Sequence, residues 1–190
     1  MEDLIRQIEA CLVCAEHLDH EPRPVISLAK NSKILVIGQA PGSRVHQSGI
    51  PWNDKSGKNL REWLNVSDDD FYDTDKFAIV PMGFCYPGKG KSGDLPPRKE
   101  CAPLWHSILL DHLKEVDLIL LIGKYAQDYY LKEDIKKNLT ETVKNFEAYL
   151  PKFFVLPHPS PRNIIWMAKN EWFKEEVLPN LKEKVSSILK

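Results

Sequence analysis

The run Lys33-Ile34-Leu35-Val36-Ile37, followed at once by Gly38-Gln39-Ala40-Pro41-Gly42, is the stretch on which the fold turns. Five residues that are almost wholly apolar and rich in β-branching read as a strand buried on both faces of a parallel sheet. The glycines and the proline stop it, because their backbones favour turns over ladder pairing. In open α/β sheets ligands bind where strands end and loops begin. A Gly-rich turn at that place lets a ligand approach main-chain N–H groups without side chains in the way.

Outward from this stretch, the pattern repeats. Lys76-Phe77-Ala78-Ile79-Val80, Val116 to Ile122 and Phe153-Phe154-Val155-Leu156 read as three further strands. Between them lie stretches of helical spacing: one bearing Leu60, Trp63 and Leu64, which Ser56 could cap, one from Pro103 to Lys114, and one opened by Gly123. A first helix is expected over 3–17, with Leu4, Ile5, Ile8, Cys11 and Leu12 in register, and C-terminal helices over 164–189, interrupted near Pro179. The polar segment Ser43 to Gly49 reads as a loop and Asp68-Asp69-Asp70 as a solvated surface turn. Strands alternating with helices predict a single-domain three-layer α/β/α sandwich over 1–190, with a central four-stranded, mostly parallel sheet. The loops after Ile37, Val80 and Leu156 then open on one edge, and they carry nearly all the unusual chemistry.

The chain has 190 residues, enough for one domain with a real core, and a formal net charge of −1. It is therefore neither a basic nucleic-acid coat nor an acidic tail, and any phosphate contact has to come from a local patch. No apolar run approaches the length needed to span a bilayer, and Met1-Glu2-Asp3 opens acidic where a signal peptide is basic. The expected location is the cytoplasm, and cysteines there are reduced or metal-bound rather than paired in structural disulfides.

Four cysteines are present, Cys11 and Cys14 as C-x-x-C, then Cys85 and Cys101. The close pair can reach one metal, and the loop bracketed by the other two can fold back over it to give four thiolate ligands. Soft thiolates suit zinc or an iron–sulfur cluster alike. The plainer reading makes Cys85 a buried apolar residue and the pair incidental or redox-active. Trp52, in a Pro-flanked loop, is placed to stack on a nucleobase, or else to pack on the next helix. His158 sits in Pro157-His158-Pro159-Ser160-Pro161, a rigid strand end that packing alone explains poorly. Lys89, Lys91, Arg98, Lys99 and Arg162 could touch phosphates, although a solvated loop accounts for them equally well.

Taken together these residues resemble the uracil-DNA glycosylase superfamily, and most closely its iron–sulfur-containing, family 4-like branch. The resemblance runs from Cys11 to about Trp166. It rests on Cys11 with Cys14, the Gly38-to-Gly42 turn, Gly49-Ile50-Pro51-Trp52, Cys85 with Cys101, and His158-Pro159-Ser160. What it implies is a pocket for a base flipped out of DNA. Gly38, Gln39, Ala40 and Pro41 form one wall, and the Gln39–Ala40 N–H groups hold the base or the attacking water. Trp52 stacks on the base, His158 stabilises it as a leaving anion, and Ser160 and its neighbours grip the flanking phosphates. The four cysteines hold a structural [4Fe-4S] cluster, with structural zinc as the alternative.

Against the family pattern, Ala40 stands where the best-known branch has a water-activating Asp, as a small residue does in the iron–sulfur branch. Pro81 stands where the best-known branch has a base-reading Asn, and Arg162 where it has an intercalating Leu. Asn53 and Asp54, directly after Trp52, offer a compensation: Asn53 to read a base edge, Asp54 to orient water or stabilise a cationic sugar. The expected activity is that of a monofunctional DNA glycosylase removing a deaminated base, uracil first, in base-excision repair. It would act as a monomer on single- or double-stranded DNA and associate with the nucleoid through it. The alternatives are a non-catalytic base-binding module of the same fold and a hydrolase of free nucleosides or nucleotides.

Overall fold

The computed structural model describes residues 1–190. Its centre is a four-stranded, wholly parallel sheet of β1 (Ile34–Ile37), β2 (Phe77–Ile79), β5 (Leu118–Ile122) and β6 (Phe153–Leu156), in the order β2-β1-β5-β6. All four residues of β1 are buried, as an apolar run paired on both sides must be. A two-stranded hairpin, β3 (Lys89–Gly90) with β4 (Gly93–Asp94), stands apart from it.

The helices are α1 (Glu2–Glu9), α2 (Ser43–Ser48), α3 (Lys55–Leu64), α4 (Asp68–Tyr72), α5 (Ser107–His112), α6 (Lys124–Leu131), α7 (Leu139–Lys144), α8 (Ile164–Lys169) and α9 (Leu178–Ile188). Leu35 and Ile37 face α5 and α6 beside Leu109 and Tyr130. Strand alternation turns Ile34 and Val36 to the opposite side. There α3 packs on α9, and Trp63 meets Phe173 edge-on at 5.0 Å. The sheet order with right-handed crossovers places α3 and α5 on opposite faces, which makes the three layers. No helix is long and apolar enough to cross a membrane.

Several local expectations are corrected. The first helix ends at Glu9, not His17, so Cys11 and Cys14 lie in the turn beyond it, where Leu12 and Val13 are exposed rather than buried. The segment Ser43–Ser48 is helical. The three aspartates open α4, with Ser67 as its cap, where their charge suits the positive helix end. Asp54, not Ser56, caps α3. The C-terminal helices break at Asn170, between α8 and the π-turn Phe173–Val177. Pro179 sits in the first turn of α9, where a missing N–H is harmless.

Candidate active site

The turn after β1, the loop before α3 and the loop after β6 meet at the carboxyl edge of the sheet, around a cavity of about 50 Å³. Its wall includes Gly38, Gln39, Ala40, Pro41, Trp52, Asp54 and His158, with Pro81 from the end of β2. Topology explains the meeting: parallel strands bring every carboxyl end to one edge, and β1 lies between β2 and β5. Main-chain bonds fasten the wall, with Met82 N–H donating to Gly38 O at 2.9 Å and Gly83 N–H to Gln39 O at 3.0 Å.

Trp52 has a left-handed backbone, φ 55°, which is uncommon for a bulky residue. Two glycines make room for it. A Cβ on Gly38 would lie 2.7 Å from Trp52 Cζ2, so the indole rests directly on the bare Gly38 backbone. A Cβ on Gly57 would run into the Trp52 carbonyl. The indole stands 5.7 Å from the His158 ring. With the indole in this place the cavity is on the scale of one or two waters, at about 30 Å³ each in the liquid, rather than of a nucleobase.

His158 is held through its backbone. Asn163 Nδ2 donates to the His158 carbonyl at 2.6 Å, and Asn59 Nδ2 on α3 donates to the next carbonyl, Pro159, at 2.8 Å. The imidazole itself makes no hydrogen bond within the protein. Burial pushes its pKa below the usual histidine value, against the upward pull of the Asp54 and Asp94 carboxylates, so the ring is neutral at pH 7. A neutral imidazole facing a cavity with both nitrogens free can donate to an incoming group.

Two carboxylates flank it. Asp54 Oδ1 accepts from Gly57 N–H at 2.7 Å as the cap of α3, which leaves Oδ2 free at the pocket wall. Asp94, on the far strand of the hairpin, carries no sequence signal of its own, because an aspartate in a turn-rich loop has no distinctive pattern. Its Oδ1 accepts from the Tyr86 hydroxyl at 3.3 Å, and its Oδ2 is 3.5 Å from where a Gly42 side chain would begin. Asn59 and Asn163 are equally silent in the sequence, since asparagines in helices and turns carry no distinctive pattern.

Asn53 does not line the cavity. Ser160 caps the short turn Pro161–Asn163, and Arg162 Nη1 donates to Ser92 O at 3.2 Å, tying the His158 loop to the hairpin. Lys89 and Lys91 are exposed on that hairpin. Ile164 and Ile165, immediately after the same loop, are 65% and 69% exposed, an unusual place for two isoleucines on a helix.

The cysteines gather away from this pocket. Cys14, Cys85 and Cys101 are buried and Cys11 is half-buried, none in a disulfide. The thiols of Cys85 and Cys101 both feel Cys11 and Cys14, which places all four in one neighbourhood. Burial pushes Cys85 up to about 11 and Cys101 up to about 12. Cys14 Sγ donates to Glu100, itself paired with Arg98. No three His, Cys, Asp or Glu side chains are drawn in to the spacing of a single metal ion.

Comparison with known proteins gives three findings. The family model described as the uracil DNA glycosylase superfamily matches residues 26–182. A type-4 uracil-DNA glycosylase from Thermotoga maritima is 24% identical over 194 aligned positions, covering 100% of this chain and 95% of its own. A solution NMR structure of a candidate uracil DNA glycosylase from Methanosarcina acetivorans superposes with a TM-score of 0.44 at 18% identity, over 82% of this chain and 94% of the other.

Proposed function

The chain belongs to the uracil DNA glycosylase superfamily, and on that premise we propose that it is a monofunctional DNA glycosylase. It hydrolyses the N-glycosidic bond of a deaminated base, uracil first, that has been flipped out of DNA. The observation that carries this reading is the convergence of the Gly38-to-Gly42 turn, Trp52, Asp54 and a free neutral His158 on one cavity.

The base enters when the Trp52 indole swings off Gly38 and stacks on it. The same movement brings Asn53 to a base edge. As the C–N bond breaks, the electron pair leaves with the base, and His158 donates to a base carbonyl to stabilise the anion. Main-chain N–H groups of Gln39 and Ala40 hold the base or the water. Water adds to the anomeric carbon, oriented by the free oxygen of Asp54, which also receives its proton. Asp94, on the opposite rim, adds negative charge where the sugar becomes cationic. Ile164 and Ile165 fill the gap left in the stack, the wedge role for which exposed apolar side chains are suited. Ser160, Arg162, Lys89 and Lys91 hold phosphates.

The four cysteines suit a [4Fe-4S] cluster. The donor set is all thiol, grouped and mostly buried, and soft thiolates of this kind suit an iron–sulfur cluster, with structural zinc as the alternative. The cluster, when bound, is a structural cross-link between the segment after α1 and the loop from Cys85 to Cys101. Burial holds the Cys85 and Cys101 thiols neutral near pH 7 without metal, so loading releases protons.

A single-stranded oligonucleotide containing one uracil, incubated with the protein and then treated with alkali, tests the reading. Strand scission at the uracil is expected. Tight binding without scission would support a base-binding module instead, and turnover of free nucleosides alone would support a nucleoside hydrolase. A brown protein with broad visible absorption is expected for the cluster, a colourless one with stoichiometric zinc for the alternative.

A further inference from the structure

Beside the base pocket lies a larger concavity of about 670 Å³, well within the range of small-ligand sites. Met82 and Ala102 lie at its base, Leu95 and Pro97 form one side, and Tyr125 and Tyr129 on α6 form the other. The two tyrosines are four residues apart, hence on one helix face. Each is 38% exposed, and Leu95 is 41% exposed. Nothing in the mechanism above uses this groove.

Three observations identify its occupant. It neighbours the base pocket: an intermediate hollow of about 200 Å³ shares Gln39 and His158 with the pocket and Tyr125 with the groove. The Gln39 amide also donates to the Leu95 carbonyl at 3.4 Å, so the turn that walls the pocket is tied to the loop that walls the groove. Its charged side chains leave one free cation: Arg98 pairs with Glu100 and Asp128 with Lys124, while Lys99 makes no ion pair. Lys89 and Lys91 are exposed on the hairpin that leads into Leu95. The interior is aromatic and apolar, and faces of this kind hold bases by stacking without regard to sequence.

We propose that this groove binds an unpaired nucleotide of the substrate strand, flanking the flipped one, its base stacked on Tyr125 and Tyr129 and its phosphate on Lys99. This rests on the glycosylase reading, because the base pocket fixes where the strand enters. A flanking base in a duplex is held by its complement, so the groove favours single-stranded DNA.

The test uses single strands carrying a stable abasic-site analogue, with 2-aminopurine one, two or three nucleotides to either side. Quenching on binding is expected at one or two positions on one side only. The Tyr125→Ala/Tyr129→Ala double variant should lose that quenching and bind about 10-fold or more weakly. The double Phe variant should restore both, and unchanged thermal unfolding of all three proteins excludes misfolding. Binding without quenching at any position overturns the proposal and leaves the groove to a protein partner. So does a double Ala variant that binds as the wild type does. The uracil-release assay separates the two readings: release with no quenching defeats the groove alone, and quenching with no release defeats the glycosylase alone.

Discussion

Two histidines, one buried behind the sheet and one half-buried at its mouth, differ in what surrounds them. His106 is 2% exposed, stacked on Phe84, with Nε2 at 3.0 Å from the Pro81 carbonyl and Nδ1 at 2.6 Å from the Tyr130 hydroxyl. A carbonyl can only accept, so Nε2 carries the proton and Nδ1 accepts from the tyrosine. Burial pushes its pKa down to about 4. His158 is lowered for the same leading reason, but its ring has no partner and faces a cavity. Burial and a depressed pKa therefore do not mark a working residue. Spare hydrogen-bonding capacity at an opening, which of the two only His158 has, is what the proposed role requires.

The sharpest way to break this contrast is His158→Gln. Base release should fall roughly 10²–10³-fold, the usual cost of one preorganised donor to a developing anion, while urea unfolding changes by less than about 0.5 kcal/mol. Equal losses of stability and rate would make His158 another His106. The converse is His106→Ala, which removes a filled ring and strands the Tyr130 hydroxyl and Pro81 carbonyl. Unfolding free energy should drop by about 3 kcal/mol, with base release per folded molecule unchanged.

Acid sharpens the same difference. With a folded pKa near 4 against 6.5 unfolded, the folded state binds fewer protons at His106 between those values. Stability is thus complete above about pH 6.5 and is lost as pH falls towards 4, by up to about 3 kcal/mol. Stability measured across pH 4–7 should show this slope, and His106→Asn should flatten it.

Asp54 combines both kinds of role in one side chain, because Oδ1 is committed to the cap and Oδ2 is free. Asp54→Asn keeps a capping group of nearly equal quality and removes the charge. Unchanged unfolding with a roughly 10²-fold loss of base release is expected; release close to wild type would remove Asp54 from the chemistry. The smallest effect is that of Gly38→Ala. The new methyl meets only the far end of the indole, so stability should fall by about 1 kcal/mol or less, with a shift in Trp52 fluorescence reporting the displaced ring.

The strands were legible because burial on both faces leaves no alternative to a continuous apolar run, and all four lie within two residues of where that rule puts them. Helix ends were less legible. The apolar spacing from Leu4 to Leu12 suggests a helix that continues, yet Leu12 and Val13 face solvent where the chain turns its thiols inward. Ser56 and Asp54 are both good caps by type. Asp54 does the capping, and Gly57, whose N–H it accepts, is the residue that leaves room for the Trp52 carbonyl.

The sequence by itself determined the layered α/β architecture and the shared edge of three loops, and it singled out Gly38 to Gly42, Trp52 and His158, which the fold brings to one cavity, since each rests on local patterns of burial, turn and residue type. Only the tertiary structure decided that Asn53 stands off the cavity, that a hairpin brings Asp94 up to Gly42 of its wall, that Trp52 lies on Gly38, and that Tyr125 and Tyr129 line a groove beside it. Those facts depend on which distant segments meet, and distance along a chain does not record distance in space.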